Sequence, residues 1–289
     1  MIDFAKLIEG IEPLDENAIM QAREHFDQLI KPKGSLAKLE DMVCLYVGAT
    51  GVFDAKKIQY PRKAIMLWAD SQADEAFLRN LKAGKEPITI LARKAKSEVV
   101  ISELCCNKTN LTSEALIDAL LAGAARTEEY IVENGYKLLS VAVPGRYSLP
   151  ENCLNFKDED AFTNLLHLND VRVAAAVGTI LCAAYLKTPI MLDGLASVVA
   201  AFLAAKISPF ALKYCIASHI TTEEGQEFLL KSLGLSAVLR LKITQGQGEG
   251  SAIAFTLFDA GIRAYKEMET FAEAGVHAEV SEFAQTQTK

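Results

Sequence analysis

Residues 64–70 read Ala64-Ile65-Met66-Leu67-Trp68-Ala69-Asp70, an unbroken apolar run stopped by an acid. The run is shorter than an ordinary helix and lacks the alternation of a half-wet strand. It therefore suits a strand buried on both faces, as parallel sheets require. Short apolar runs recur downstream at Val99-Val100-Ile101, 138–143, Ile190-Met191-Leu192 and around 214–217. Helical spacing fills the intervals. Pro87 opens a short helix with Ile88 and Leu91. Thr112 or Ser113 opens a long one through Leu116, Leu120, Ala124 and Ile131 to Asn134-Gly135, and further helices cover 171–186 and 195–206. Strand and helix in alternation predict an α/β fold with a mostly parallel sheet.

Outside this core the pattern changes. Asp15 caps a helix with Ile19, Ala22, Phe26, Leu29 and Ile30 on one face, ended by Pro32 and Gly34. Ser35 is the expected N-cap of a second helix, striped by Leu36, Leu39, Met42 and Val43 and closed by Gly48. The box Thr221-x-x-Glu224 predicts another helix start, and a final helix is expected from Ser251 to about Phe271. Residues 148–169 show no clear period and are expected to be irregular, with an acidic stretch at 151–160 whose role the sequence does not reveal. The polar tail after Ala272 is expected to fray.

The chain has 289 residues, 51% apolar and 23% charged, with a net charge of −7, so it folds and carries no positive field for nucleic acid. Its longest apolar stretches, 173–186 and 195–205, fall short of the roughly 20 residues a membrane span needs. The first residues lack an export signal, which predicts a cytoplasmic protein. Six cysteines (Cys44, Cys105, Cys106, Cys153, Cys182, Cys215) show no CxxC spacing and read as reduced, buried thiols. No two histidines have metal-ligand spacing, so neither metal nor cofactor is expected.

Ligands of open parallel sheets bind beyond the carboxyl ends of the strands. Asp70, Asp193-Gly194 and Ser218-His219 stand there, although each residue taken alone is better read as a cap for the next helix, and only their shared edge points to a pocket. The sharper signal is Thr244-Gln245-Gly246-Gln247-Gly248-Glu249-Gly250-Ser251, a glycine-rich loop running into a helix. It is neither a Walker A sequence nor GxGxxG. Glu249 would repel a phosphate placed beside it, and suits accepting a proton from a neutral aromatic substrate. Alternatively it complements the helix dipole, which would lower its pKa and weaken it as a base. His25, His167 and His277 read as structural or solvated.

Lys31-Pro32-Lys33-Gly34-Ser35-Leu36-Ala37-Lys38-Leu39-Glu40 resembles the KPxGSLxxLE signature of nicotinate-nucleotide:dimethylbenzimidazole phosphoribosyltransferases, which prepare the lower ligand of cobamides. Residues 64–70 and 173–271 resemble the family in order, through Pro189-Ile190-Met191-Leu192-Asp193-Gly194, Ser218-His219 and Gly248-Glu249-Gly250-Ser251. The resemblance implies a Rossmann-like, mostly parallel α/β domain (51–250), a small helical domain from both chain ends (1–50 with about 251–289) and a dimer. It implies transfer of 5-phosphoribosyl from nicotinate mononucleotide to an aromatic base, with Glu249 matching the general base. Asp70, Asp193, Gly194, Ser218, His219, Gly248, Gly250 and Ser251 would bind substrate.

The departures point elsewhere. The family's Asp-His-Gly loop and its glutamine and asparagine pocket walls are replaced by Ser71-Gln72-Ala73-Asp74 and a shortened segment. Its glutamate and Asn-Thr-Thr helix start are replaced by Val143-Pro144-Gly145-Arg146-Tyr147, and its lysine-bearing glycine stretch is missing. These losses favour a degenerate, non-catalytic subunit paired with a full-length paralogue, as in heterodimeric phenol-type or cresol-type members, since one base cannot replace lost substrate positioning. The alternative is an active enzyme for an unusual aromatic acceptor.

Overall fold

The computed structural model describes residues 4–70, 73–104, 112–149 and 160–275. They form two compact units, divided within the last helix: one runs to Leu14 and from Pro61 to Thr256, the other covers Asp15–Tyr60 and the chain from Leu257. Residues 4–14 thus go with the larger unit rather than with the helical pair that follows them.

In the larger unit, β1 (Lys63–Asp70), β2 (Ser97–Leu104), β3 (Leu138–Ala142), β4 (Ile190–Asp193) and β5 (Cys215–Ala217) form one sheet in the order β2-β1-β3-β4-β5. Every pairing is parallel, with Lys63 opposite both Ser97 and Leu138, Leu139 opposite Ile190, and Ile190 opposite Cys215. The apolar runs of β3, β4 and β5 are wholly buried, and β1 is buried up to Asp70. The edge strand β2 is half exposed, which explains its weaker apolar signal. Helices α1 (Phe4–Glu9), α4 (Glu75–Lys82), α5 (Pro87–Lys94), α6 (Ser113–Glu128), α7 (Ala161–Leu168), α8 (Val171–Tyr185), α9 (Gly194–Ile207) and α10 (Gln226–Ser232) complete the unit. Backbones of α6 and α8 nearly touch. A Cβ on Gly123 would lie 2.0 Å from the Ala175 carbonyl, and one on Gly178 1.9 Å from that of Leu120. Across the sheet face, the Trp68 indole donates to Thr179 Oγ1 at 3.0 Å.

The smaller unit holds α2 (Glu16–Gln28), α3 (Lys38–Thr50) and the second half of α11 (Glu249–Glu267), packed through Phe26, Val43, Val47, Phe258 and Tyr265. Phe26 meets Tyr265 edge-on at 5.0 Å, and His25 Nε2 bonds the Tyr265 carbonyl at 2.9 Å.

Several expectations are corrected. Ser35 caps no helix; α3 begins at Lys38 after Ala37. The Glu40 carboxylate holds the preceding turn, accepting the Leu36 N–H at 3.0 Å and pairing with Lys31 at 2.9 Å. Gly48 lies inside α3, where a Cβ would meet Ile19 at 2.5 Å, and Gly51 closes the helix at φ +71. Thr221 starts no helix, since α10 is capped by Gly225. Residues 161–168 are helical, with Asp160 accepting the N–H groups of Phe162 and Thr163, so His167 sits on a helix; 150–159 lie outside the described residues. The last helix begins at Glu249 and ends at Glu267. Cys44, Cys182 and Cys215 are buried free thiols, with burial pushing the pKa of Cys44 up to about 11 and those of the other two to about 12. Cys105, Cys106, Cys153 and His277 lie outside the described residues. Among the described residues no helix is long and apolar enough to cross a membrane.

Candidate active site

The order β2-β1-β3-β4-β5 reverses direction between β1 and β3, the point at which open parallel sheets bind their ligands. A pocket of about 380 Å³ lies there. Ala69 at the end of β1 and Pro144, Gly145 and Arg146 after β3 form part of its wall, with Phe77, Glu86, Arg172, Gln245 and Gln247. The two arginines differ. Arg172 spends its charge on Asp170, to which Nε and Nη2 donate at 3.0 and 2.7 Å, with Asp70 at 3.5 Å. Arg146 is exposed and has no ion-pair partner among the described residues.

The predicted residues of β4, His219 and the 244–251 loop meet in a buried polar cluster. Asp193 ends β4 with no exposed surface, and its carboxylate accepts the N–H of Gly248 at 2.7 Å and of Ser251 at 2.6 Å. Gly194 and Gly246 bring two backbones together, since a Cβ on either would lie 2.4 Å from the other's Cα. That approach explains the glycines. Ser218 Oγ donates to the Leu192 carbonyl at 2.7 Å and meets His219 Nδ1 at 3.0 Å, and Nδ1 lies 3.6 Å from Asp193 Oδ1. With the hydroxyl proton on Leu192, Nδ1 is the donor, which leaves Nε2 a buried acceptor without a partner among the described residues. The His219 ring packs against Gly250 so closely that a Cβ there would sit 1.9 Å from Nδ1.

Glu249 opens α11. Its pKa is pushed up to about 7, first by burial and then by the charge of Asp193, while N–H donation from its own backbone and from Gln247 opposes the rise. Oε2 is buried without a hydrogen-bond partner among the described residues. Such a carboxylate exchanges a proton near neutral pH, as a general base must. Glu249 does not itself line the pocket; Gln245 and Gln247 of the same loop do, and Glu86 on the pocket wall is near enough for its charge to raise the Glu249 pKa further.

Sequence reading missed Glu223, which is buried and accepts from Tyr147 N at 2.7 Å, Leu195 N at 2.8 Å and Thr221 Oγ1 at 3.0 Å. It ties the loop after β3 to the start of α9. Arg146 was also missed, although its place just after Pro144-Gly145 at a strand's carboxyl end was a usable signal. Among the described residues no His, Cys, Asp and Glu cluster is arranged for a metal.

Residues 11–142 and 73–276 match the sequence profile of a family described as phosphoribosyltransferase. The chain belongs to that family. Among its curated relatives, the nicotinate-nucleotide–dimethylbenzimidazole phosphoribosyltransferase of Chlorobaculum tepidum is 25% identical over 348 aligned positions, covering 94% of this chain and 98% of the relative. That of Desulforamulus reducens is 27% identical over 347 positions, with the same coverage. The crystal structure of the Thermus thermophilus enzyme of that name superposes with a TM-score of 0.80 at 22% identity, covering 92% of this chain and all of that one, and shows that the fold is shared. Alignments of this length exceed the 289 residues available, so dozens of family positions are gaps in this chain.

Proposed function

We propose that this chain transfers 5-phosphoribosyl from nicotinate mononucleotide to an aromatic base, with Glu249 as general base. The observation that carries the reading is the Glu249 carboxylate, kept in its loop, buried, and raised to a pKa of about 7. In the step, the ring nitrogen or phenolic oxygen of the acceptor forms the bond to C1 of the ribose. The bond from C1 to nicotinate breaks with its electron pair leaving on nicotinate, and the acceptor's proton passes to Glu249. The pocket at the β1/β3 crevice, walled in part by Gln245 and Gln247 of the Glu249 loop, supplies space for the nucleotide, and the exposed Arg146 guanidinium suits the phosphomonoester that the family's missing glycine stretch would otherwise hold.

A second reading keeps the chain as the non-catalytic partner of a complete paralogue, and the dozens of gapped positions favour it. Nicotinate release separates the two. The chain is assayed alone and co-purified with a full-length paralogue, with benzimidazole and phenolic acceptors. Glu249→Gln in this chain should lower turnover at its own site about a hundredfold to ten-thousandfold. If that change leaves the paired complex intact in activity while the matching change in the paralogue abolishes it, the partner reading stands instead.

A further inference from the structure

Sequence position makes Asp193 a candidate substrate ligand, but its geometry gives the carboxylate other work. Both oxygens are occupied by N–H groups of Gly248 and Ser251, which bracket Glu249 in the chain. The residue has no exposed surface and does not line the pocket. Gly246 packs against the Asp193 carbonyl, where a Cβ would lie 2.6 Å away, and the His219 ring closes over Gly250. The loop is thus fixed on both sides of its glutamate from one strand end.

We propose that Asp193 is a positioning residue for phosphoribosyl transfer: its buried carboxylate clamps the loop on both sides of Glu249 and places a second acid beside that glutamate. The proposal rests on the reading of Glu249 as general base. The groups facing that glutamate are Asp193 from β4, Glu86 at the start of α5, the His219 ring against the neighbouring Gly250, and the N–H groups of Gln247 and of Glu249 itself. Asp193 is the larger of the two anionic influences, so removing its charge must make Glu249 more acidic.

The test titrates Glu249 by carbon NMR in glutamate-labelled protein, the signal being assigned by its loss in Glu249→Gln. Asp193→Asn should move the Glu249 midpoint down by about 1 pH unit, and Asp193→Glu, which keeps the charge, should leave it within a few tenths of the wild-type value. An unmoved midpoint in Asp193→Asn overturns the proposal. Should that variant fail to fold, kinetics of Asp193→Glu decide. A clamp of altered length should lower kcat about tenfold to a hundredfold with KM for both substrates within about twofold. A raised KM with kcat preserved makes Asp193 a substrate ligand and also overturns the proposal. If the wild-type protein turns over no acceptor, the proposed function fails by itself, and the titration still decides whether Asp193 acts on Glu249.

Discussion

A carboxylate poised near neutrality costs the fold something, and Glu249→Gln should reveal how much. In the unfolded chain Glu249 titrates near 4.5, and in the folded protein near 7, so between those values the folded state holds the extra proton. Stability contributed by this residue is therefore complete below about pH 4.5 and is lost as pH rises to 7, the reverse of an ordinary salt-bridged acid. The difference corresponds to about 3 kcal/mol against the charged form above pH 7. Glutamine fills the same space without charge. At pH 8 the variant should be more stable by up to that amount, raising the thermal midpoint by as much as about 6 to 12 °C at roughly 2–4 °C per kcal/mol. At pH 5, where the wild-type carboxyl is largely protonated, the two should melt within about 2 °C of each other. Differential scanning calorimetry at both pH values makes the comparison. An equal loss of stability at both would refute the claim that Glu249 is held as a strained, desolvated base.

Three other outcomes can be checked independently. Arg146→Ala should raise KM for nicotinate mononucleotide at least about tenfold, as loss of a charged phosphate contact does, with little change in the melting temperature. Gly250→Ala must displace the His219 ring, and chemical denaturation should show a loss of about 1–3 kcal/mol. Glu223→Gln sets an amide N–H against an N–H donor of Tyr147 or Leu195 and should cost about 1–3 kcal/mol in the same measurement.

The parallel sheet was legible because its strands are short, apolar and buried on both faces, so 64–70 and 190–192 could not be mistaken for amphipathic helices. Local capping chemistry was less reliable. Thr221 has the residue type and spacing of a capping box, yet its hydroxyl is drawn to Glu223 and Gln226, and the helix waits for Gly225. Gly48 looked like a helix end and is a point of close packing against Ile19. Within the site, Asp193, His219 and Glu249 were found because they follow strand ends or glycines. Their roles were not legible, since whether Asp193 faces a ligand or two backbone N–H groups depends on a contact 55 residues away in sequence. Glu223 gave no signal at all, because an acid in a polar stretch reads as solvated until three donors are folded around it.

The pH dependence of kcat/KM for nicotinate release, measured in the active complex with wild-type chain and with Glu249→Gln, tests the central claim most directly. Wild-type activity should fall as pH drops below about 7, where Glu249 becomes protonated. Glu249→Gln should lower the plateau at pH 8 by about a hundredfold to ten-thousandfold and abolish that acidic limb. A variant that keeps wild-type activity and the same acidic limb would contradict the account and make this chain the partner of another subunit's active site.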